Sequence, residues 1–247
     1  MPEHARKIYE ITGPDARDFL QNIVTNDMAR LKDGAMYAAI LTPQGKYLAD
    51  FLMVPHGDAI LLDVAEHLAA GLVQRLNMYK LRANVTISET NLIVSRGLKD
   101  APEGAVADPR DANLGWRYYG AEDHNTDTVD WDALRVDHKI PEMGRELDAE
   151  SYILEMGFEG LNGVDFRKGC YVGQEVTARM KHKTELRKGL VRLVSDADIP
   201  ENADVVSNGK VIGRTHTSAG KRALAYLRYD RVDGDISVND IPVTWQK

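Results

Sequence analysis

The chain has 247 residues, a hydrophobic content of 43% and a charged content of 28%, the composition of a globular protein long enough to bury a sizeable core. Its one cysteine excludes an internal disulfide and a self-sufficient four-cysteine zinc or iron–sulfur site. No apolar run approaches the roughly 20 residues of a membrane span, and the N-terminus lacks the apolar segment of a signal peptide. We therefore expect a cytoplasmic protein with no membrane partner. The net charge of −7 argues against broad nucleic-acid binding.

The first predicted element is a helix that begins at residues 12–15, Thr-Gly-Pro-Asp, where a capping hydroxyl precedes an early proline and an acid. Apolar side chains then recur at helical spacing up to Val24, and the helix is expected to end near residues 25–27, Thr-Asn-Asp. Asn26 has two interpretations, a residue of the C-terminal turn or a polar corner that faces a ligand.

A hairpin is predicted next, with strands at 37–42 and 47–54 joined by the turn Pro43-Gln44-Gly45. Asp50 lies inside the apolar return strand, where an ionised carboxylate is costly to bury without a partner. Asp50 therefore either lines a pocket with Tyr37 on the opposing strand or points to solvent from a two-faced sheet.

The next 80 residues favour an α+β arrangement, with helices on one side of a mainly antiparallel sheet. The predicted elements are strands at 59–64, 82–88 and 92–95, helices at 65–79 and 130–139, and a surface loop at 99–113. The last 60 residues contain several short strands, including a hairpin with the turn signal Asn208-Gly209, and favour a small β-barrel. We therefore predict two domains, an α+β body at 1–183 and a barrel at 184–247.

The stretch from Arg167 to Lys188 is the most basic part of the chain, with seven Lys or Arg and two Glu, a balance of +5. It contains the run Lys-Gly-Cys-Tyr-Val-Gly-Gln-Glu, and a helix is expected just past Gly173. Basic neighbours and a helix N-terminus lower the pKa of a thiol, so Cys170 is a candidate reactive thiolate, the alternative being a small buried side chain. The seven histidines have no metal-ligand spacing, and no metal site is predicted.

This run, with residues 25–27 and the turn Pro-Gln-Gly-Lys at 43–46, resembles the YgfZ family, which comprises folate-binding factors tied to iron–sulfur cluster assembly or repair. More distantly, the chain resembles the aminomethyltransferase (T-protein) of the glycine cleavage system. The resemblance covers nearly the whole chain. It implies a folate-binding body of two α+β subdomains with a C-terminal antiparallel barrel, a bound tetrahydrofolate or derivative, and iron–sulfur assembly proteins or client enzymes as partners.

The resemblance also implies roles for particular residues. Glu175 matches the acid that binds the pteridine, and Tyr37 matches a tyrosine of the folate pocket. The T-protein has an adjacent acid pair where this chain has Ala49-Asp50, so only Asp50 remains for catalysis. Cys170 could ligate iron with a partner's help or accept a redox or one-carbon group. The expected cofactor-binding residues are Tyr37, Asn26, Lys168, Tyr171, Gln174, Glu175 and Arg179.

Two other functions stay open. The first is a folate-dependent one-carbon transferase, which the half-lost acid pair disfavours. The second is an accessory protein of tRNA modification, suggested by the basic stretch. The sequence favours an assembly factor over an aminomethyltransferase.

Overall fold

The structure, a computed structural model, describes residues 5–125, 128–183 and 185–246. The chain forms two compact units. The first comprises Met1–Thr128 and Glu159–Gln174, and the second comprises Val129–Phe158 and Glu175–Lys247. The domain boundary expected between residues 183 and 184 stays a prediction, and residue 184 lies outside the described residues.

The first unit is built on a five-stranded antiparallel sheet in the order β2-β3-β4-β1-β5. Its strands are β1 (Arg6–Thr12), β2 (Met36–Leu41), β3 (Tyr47–His56), β4 (Ala59–Ala65) and β5 (Thr86–Glu89). A second, three-stranded sheet has β6 (Ile93–Gly97), β7 (Val106–Ala107) and β8 (Trp116–Gly120) in the order β6-β8-β7. The helices are α1 (Ala16–Gln21) and α2 (Glu66–Tyr79), with short 3-10 turns at Met28–Lys32 and Ala112–Leu114. The predicted β2–β3 hairpin and the helix after β4 are confirmed.

The two faces of the five-stranded sheet differ in character because side chains alternate along each strand. One face supplies the main core, in which Phe51 and Leu62 pack with α1 and α2 residues such as Leu20 and Leu72. The other face supplies a smaller core around Ile8, Val54 and Leu61, against which Val94, Val106 and Tyr119 of the second sheet pack. The strand residues Tyr37, Asp50 and Asp63, described below, alternate onto this second face.

The N-terminal region differs from its prediction. Strand β1 precedes the helix and was not predicted, and α1 is six residues long, because the chain leaves the helical path at Asn22 to bring Thr25 onto strand β2. The Asp15 carboxylate does not cap the helix. It accepts a hydrogen bond from the backbone N–H of Asn84, at 2.7 Å.

The second unit contains α3 (Trp131–His138), most of α4 (Gln174–Lys183) and a closed barrel of six antiparallel strands. The barrel strands are β9 (Lys188–Val194), β10 (Asp204–Ser207), β11 (Lys210–Ala219), β12 (Arg222–Arg228), β13 (Ile236–Val238) and β14 (Ile241–Gln246). Alternate residues such as Val191, Leu193 and Ala225 fill its interior. The predicted barrel and its Asn-Gly hairpin are confirmed. Among the described residues, no helix combines the length and the apolar character that a membrane crossing requires.

Candidate functional site

Asp50 lies between two buried tyrosines. The hydroxyl of Tyr37 donates to Asp50 Oδ2 at 2.9 Å, and the hydroxyl of Tyr47 donates to Asp50 Oδ1 at 2.5 Å. Both tyrosines are buried, whereas Asp50 is half-buried, so the carboxylate is fixed at each oxygen and still reaches the surface. We name these three residues the Asp50 cluster. The predicted proximity of Tyr37 to Asp50 is confirmed.

Tyr47 reaches Asp50 because of a β-bulge. In a regular strand, residues 47 and 50 point to opposite faces. The β2–β3 pairing shifts register here, from Ile40 opposite Ala49 to Leu41 opposite Tyr47, so Leu48 is an extra residue. The extra residue brings Tyr47 onto the face of Asp50. Sequence reasoning missed Tyr47, because strict alternation assigns it to the apolar face.

The two tyrosines act as hydrogen-bond donors at ordinary pH. Burial raises the pKa of Tyr37 well above its usual value, and the negative charge of Asp50 raises it further. The same two causes, in the same order, raise the pKa of Tyr47. Each hydroxyl therefore keeps its proton, and Asp50 keeps the role of acceptor.

A chain of buried ion pairs ends beside the Tyr37 ring of the Asp50 cluster. The guanidinium of Arg110 lies 5.7 Å from the ring centroid of Tyr37, and two of its nitrogens donate to Asp108, at 3.0 and 2.8 Å. Asp108 also accepts from Arg117 Nε at 2.8 Å, and Arg117 Nη1 donates to Asp63 at 2.9 Å. We call Asp63, Arg117, Asp108 and Arg110 the ion-pair chain.

Asp63 ends the ion-pair chain within β4 and is fully buried. It also accepts from Arg6 Nε at 2.5 Å and from the Tyr119 hydroxyl at 2.8 Å. Burial alone would raise the pKa of Asp63, but the guanidinium groups of Arg6 and Arg117 lower it below its usual value. Sequence reasoning missed this residue, although an acid in the apolar strand Ala59–Ala65 gives the same signal as Asp50 does.

Thr25 and Asn26 join strand β2 to the segment that precedes Cys170. Thr25 Oγ1 donates to the carbonyl of Gly163 at 2.7 Å and accepts from the N–H of Ala39 at 2.9 Å. The Asn26 amide donates to the carbonyls of Tyr37 and Asn162, at 2.9 and 2.6 Å. Both amide hydrogens of Asn26 are thus occupied within the protein, and its predicted contact with a cofactor stays a prediction.

Lys168 fixes the start of the run from Lys168 to Glu175, which we call the cysteine run. Its ammonium donates to the carbonyls of Gln21 and Val24, at 2.6 and 2.5 Å, and lies 5.0 Å from the ring centroid of Tyr171. Burial lowers the pKa of Lys168 to about 8, against the opposing effects of Asp27 and Asp165. Lys168 and Tyr171 are both buried. Their predicted cofactor contacts stay a prediction.

Gly173 fixes the end of the run against the β2–β3 turn. Its φ of +84° lies in the left-handed region, and a Cβ at this position would stand 2.6 Å from the Thr42 carbonyl oxygen and 3.1 Å from the Gly45 Cα. Only glycine accepts both constraints without strain. The two motifs singled out from the sequence, the cysteine run and the hairpin turn, are therefore in direct contact.

Cys170 lies between these two fixed points and is exposed. A cysteine sealed in the core would have left the thiol inert, so its exposure favours the functional interpretation over the buried one. Among the described residues, no three His, Cys, Asp or Glu side chains gather in a way that could hold a metal ion.

Helix α4 carries the remaining predicted residues. The expectation that a helix begins just past Gly173 is confirmed, since α4 begins at Gln174. Glu175 lies in its first turn and Arg179 four residues on, so both share one helical face, and both are exposed. The roles of Gln174, Glu175 and Arg179 stay predictions.

The first comparison concerns the fold. The chain superposes with a TM-score of 0.75 on the crystal structure of the glycine cleavage system aminomethyltransferase T from Bartonella henselae, covering 96% of this chain and 81% of that one. The sequences are 14% identical, so this comparison establishes the fold alone. The fold is aminomethyltransferase-like, mixed α and β with a closed six-stranded antiparallel barrel, and the predicted fold class is confirmed.

The second comparison concerns relatives by sequence. Residues 187–247 match the family model "CAF17, C-terminal beta-barrel domain". The chain is 28% identical to "Iron-sulfur cluster assembly factor IBA57, mitochondrial" of Mus musculus and of Homo sapiens, over 94% of this chain and 78% of each relative. It is 31% identical to the homologue of that factor in Phaeosphaeria nodorum, over 75% of this chain and 53% of the relative. Its homologues are thus named iron–sulfur cluster assembly factors.

The comparison corrects one prediction. These relatives are named mitochondrial, which contradicts the cytoplasmic location expected from the sequence, and that expectation is wrong. The reason is that a single cysteine indicates reducing conditions, and such conditions do not select one compartment among several.

Proposed function

We propose that this protein is a tetrahydrofolate-binding factor of the YgfZ type that assists the assembly or repair of iron–sulfur clusters. The names of its homologues support the assembly role. The observation that carries the folate part is the Asp50 cluster, a half-exposed carboxylate fixed by two buried hydroxyls.

The Asp50 cluster suits a flat ligand that donates hydrogen bonds. An ionised carboxylate has about four acceptor sites, and the two tyrosines occupy one on each oxygen of Asp50. The remaining sites are held in fixed directions, which favours a ligand with N–H groups on a rigid ring, as in a pteridine. The role of Glu175 in binding a pteridine, which the family resemblance implies, stays a prediction that is tested separately from that of Asp50.

Cys170 is the proposed site of the cluster chemistry. One thiolate is too few for a cluster, which usually has four protein ligands. The exposure of Cys170 lets a partner protein or a small thiol supply the others, and Lys168 and Gly173 fix the run on both sides of the sulfur. The protein would then present one ligand of a shared cluster.

Titration of the purified protein with tetrahydrofolate tests the ligand. We expect saturable binding that weakens by about tenfold or more in Asp50→Asn and in Glu175→Ala, since each removes a charge-assisted hydrogen bond. Asp58→Asn, an exposed acid in the β3–β4 turn, is the matched control and should bind like the wild type. Absence of binding by the wild type would overturn the folate part.

Cluster delivery to an apo client enzyme tests Cys170 separately. We expect Cys170→Ser to lose the stimulation of client activity that the wild type gives, and to keep its affinity for tetrahydrofolate. Gly169→Ala is the control, because a Cβ at Gly169 meets nothing within 4 Å and the sulfur is retained. A Cys170→Ser protein as effective as the wild type would exclude a cluster role for the cysteine.

A one-carbon transferase is the second candidate, and the accessible Asp50 carboxylate favours it as a group that could steer a proton. Release of product from an aminomethylated lipoyl donor, dependent on tetrahydrofolate and lost in Asp50→Asn, would favour this function over the assembly role.

A further inference from the structure

The barrel carries a groove that the proposed function does not use. It has a volume of about 730 Å3 and is lined by the end of β9, the start of β13 and the strand β14. Its lining includes the apolar residues Pro242, Val243 and Trp245, which we call the floor, and the exposed acids Asp196 and Asp235, which we call the rim. We call it the barrel groove.

Strand β14 changes partners along the floor of the barrel groove. Its first half pairs with β13, where Val243 lies opposite Ile236, and its second half pairs with β9, where Thr244 lies opposite Val194. Strand β13 begins at Ile236. Within the described part of the chain, residues 244–246 therefore have no paired strand on the β13 side. A free strand edge of this kind accepts an extended peptide by adding one more strand.

The charge on the rim selects the kind of peptide. Asp196 and Asp235 are exposed, and neither forms an ion pair with any described residue. The lining of the barrel groove contains no Lys, Arg or His among the described residues. Unpaired acids beside an apolar floor complement a segment that combines basic and apolar side chains.

The aromatic part of the floor adds a second preference for cations. Trp245 stacks on Tyr229, with ring centroids 5.4 Å apart and an angle of 6° between the planes. One face of the half-exposed indole is thus fixed by Tyr229, and the indole also lines the barrel groove. A guanidinium or ammonium is attracted to an aromatic face, and more strongly where carboxylates lie nearby.

We infer that the barrel groove docks an extended, basic segment of a protein partner, which adds beside β14 with its cationic side chains directed at Asp196, Asp235 and Trp245. Neither folate nor Cys170 takes part in this docking, so the docking and the proposed function are tested independently. A small organic cation would satisfy the rim acids and the indole, but it would leave the strand edge unused.

Calorimetric titration of the full chain with a six-residue peptide of alternating Arg and Val, capped at both ends, tests the docking. We expect saturable binding that weakens at least about fivefold when Asp196→Asn and Asp235→Asn are combined. Asp204→Asn is the matched control, because Asp204 is an exposed acid at the start of β10 and is not part of the groove lining. It should leave the affinity unchanged.

Two further probes distinguish the docking of an extended segment from the binding of a small cation. A peptide with Glu in place of Arg should not bind, and arginine amide should bind at least tenfold more weakly than the Arg-Val peptide, since it lacks the backbone that pairs with β14. Arginine amide that binds as tightly as the peptide would overturn the docking of a segment in favour of a small cation. Failure of the Arg-Val peptide to bind, or an equal loss in Asp204→Asn, would also overturn the inference.

Discussion

The Asp50 cluster and Cys170 belong to the same compact unit, yet the structure holds the carboxylate and the thiol in opposite ways. Asp50 is fixed at both oxygens by buried hydroxyls, and Arg110 of the ion-pair chain lies over the ring of Tyr37. Cys170 is exposed, and the fixed points lie at its neighbours Lys168 and Gly173. Fixed hydrogen-bond directions at the Asp50 carboxylate suit the recognition of a ligand. Access to the Cys170 thiol suits an exchange with another molecule.

The largest expected effect comes from breaking the support of the Asp50 cluster. Asp63→Asn leaves the guanidinium groups of Arg6 and Arg117 facing a neutral, buried amide, so we expect a loss of about 3–5 kcal/mol in the free energy of unfolding. Urea denaturation measures it. Glu89→Gln removes the acid of the exposed Lys7–Glu89 pair and should cost less than about 0.5 kcal/mol. Equal losses of unfolding free energy in the two variants would show that the ion-pair chain contributes no more to stability than an exposed ion pair.

The second effect concerns the end of the cysteine run. Gly173→Ala places a Cβ against the Thr42 carbonyl at a positive φ, so we expect a loss of about 1–3 kcal/mol. Gly169→Ala adds the same methyl group in open space, and its φ is not in the left-handed region, so it should change stability by less than about 0.5 kcal/mol. If denaturation curves of the two variants coincide, the run is not fixed at Gly173.

The third effect concerns the start of the run. Lys168→Met removes the donor from the carbonyls of Gln21 and Val24, and we expect a loss of about 1 kcal/mol at pH 7.

This loss should change with pH in a defined direction. The pKa of Lys168 is about 8 in the folded protein and 10.5 in the unfolded chain, so the unfolded chain binds more protons between these values. The stability of the wild type relative to Lys168→Met therefore rises from pH 8 to pH 10.5. A difference between the two proteins that is flat over this range would contradict the burial of the ammonium.

The smallest effect on stability is expected at the sulfur itself. Because Cys170 is exposed, Cys170→Ser should change the free energy of unfolding by less than about 0.5 kcal/mol. A thiol reagent should modify the native wild type at a rate similar to that in denaturant. Protection of the native thiol by more than about a hundredfold would mean that the sulfur is not available to a partner.

Much of the fold was predictable because it depends on local patterns. The β2–β3 hairpin follows from two mainly apolar segments on either side of the turn Pro43-Gln44-Gly45, and the barrel follows from short strands with turn signals such as Asn208-Gly209. Strand β1 was missed because its pairing partners, β4 and β5, lie about 50 and 80 residues further along the chain.

The sequence by itself determined which residues are candidates for chemistry, an acid in an apolar strand and a lone cysteine among glycines, because such residue types stand out from their neighbours. Only the tertiary structure decided what surrounds them. A single bulged residue turned Tyr47 toward Asp50, and contacts across 147 and 144 positions tied Lys168 to the carbonyls of Gln21 and Val24. Local sequence patterns cannot predict these contacts, because the partners meet only after the sheet has formed and the chain has returned to it.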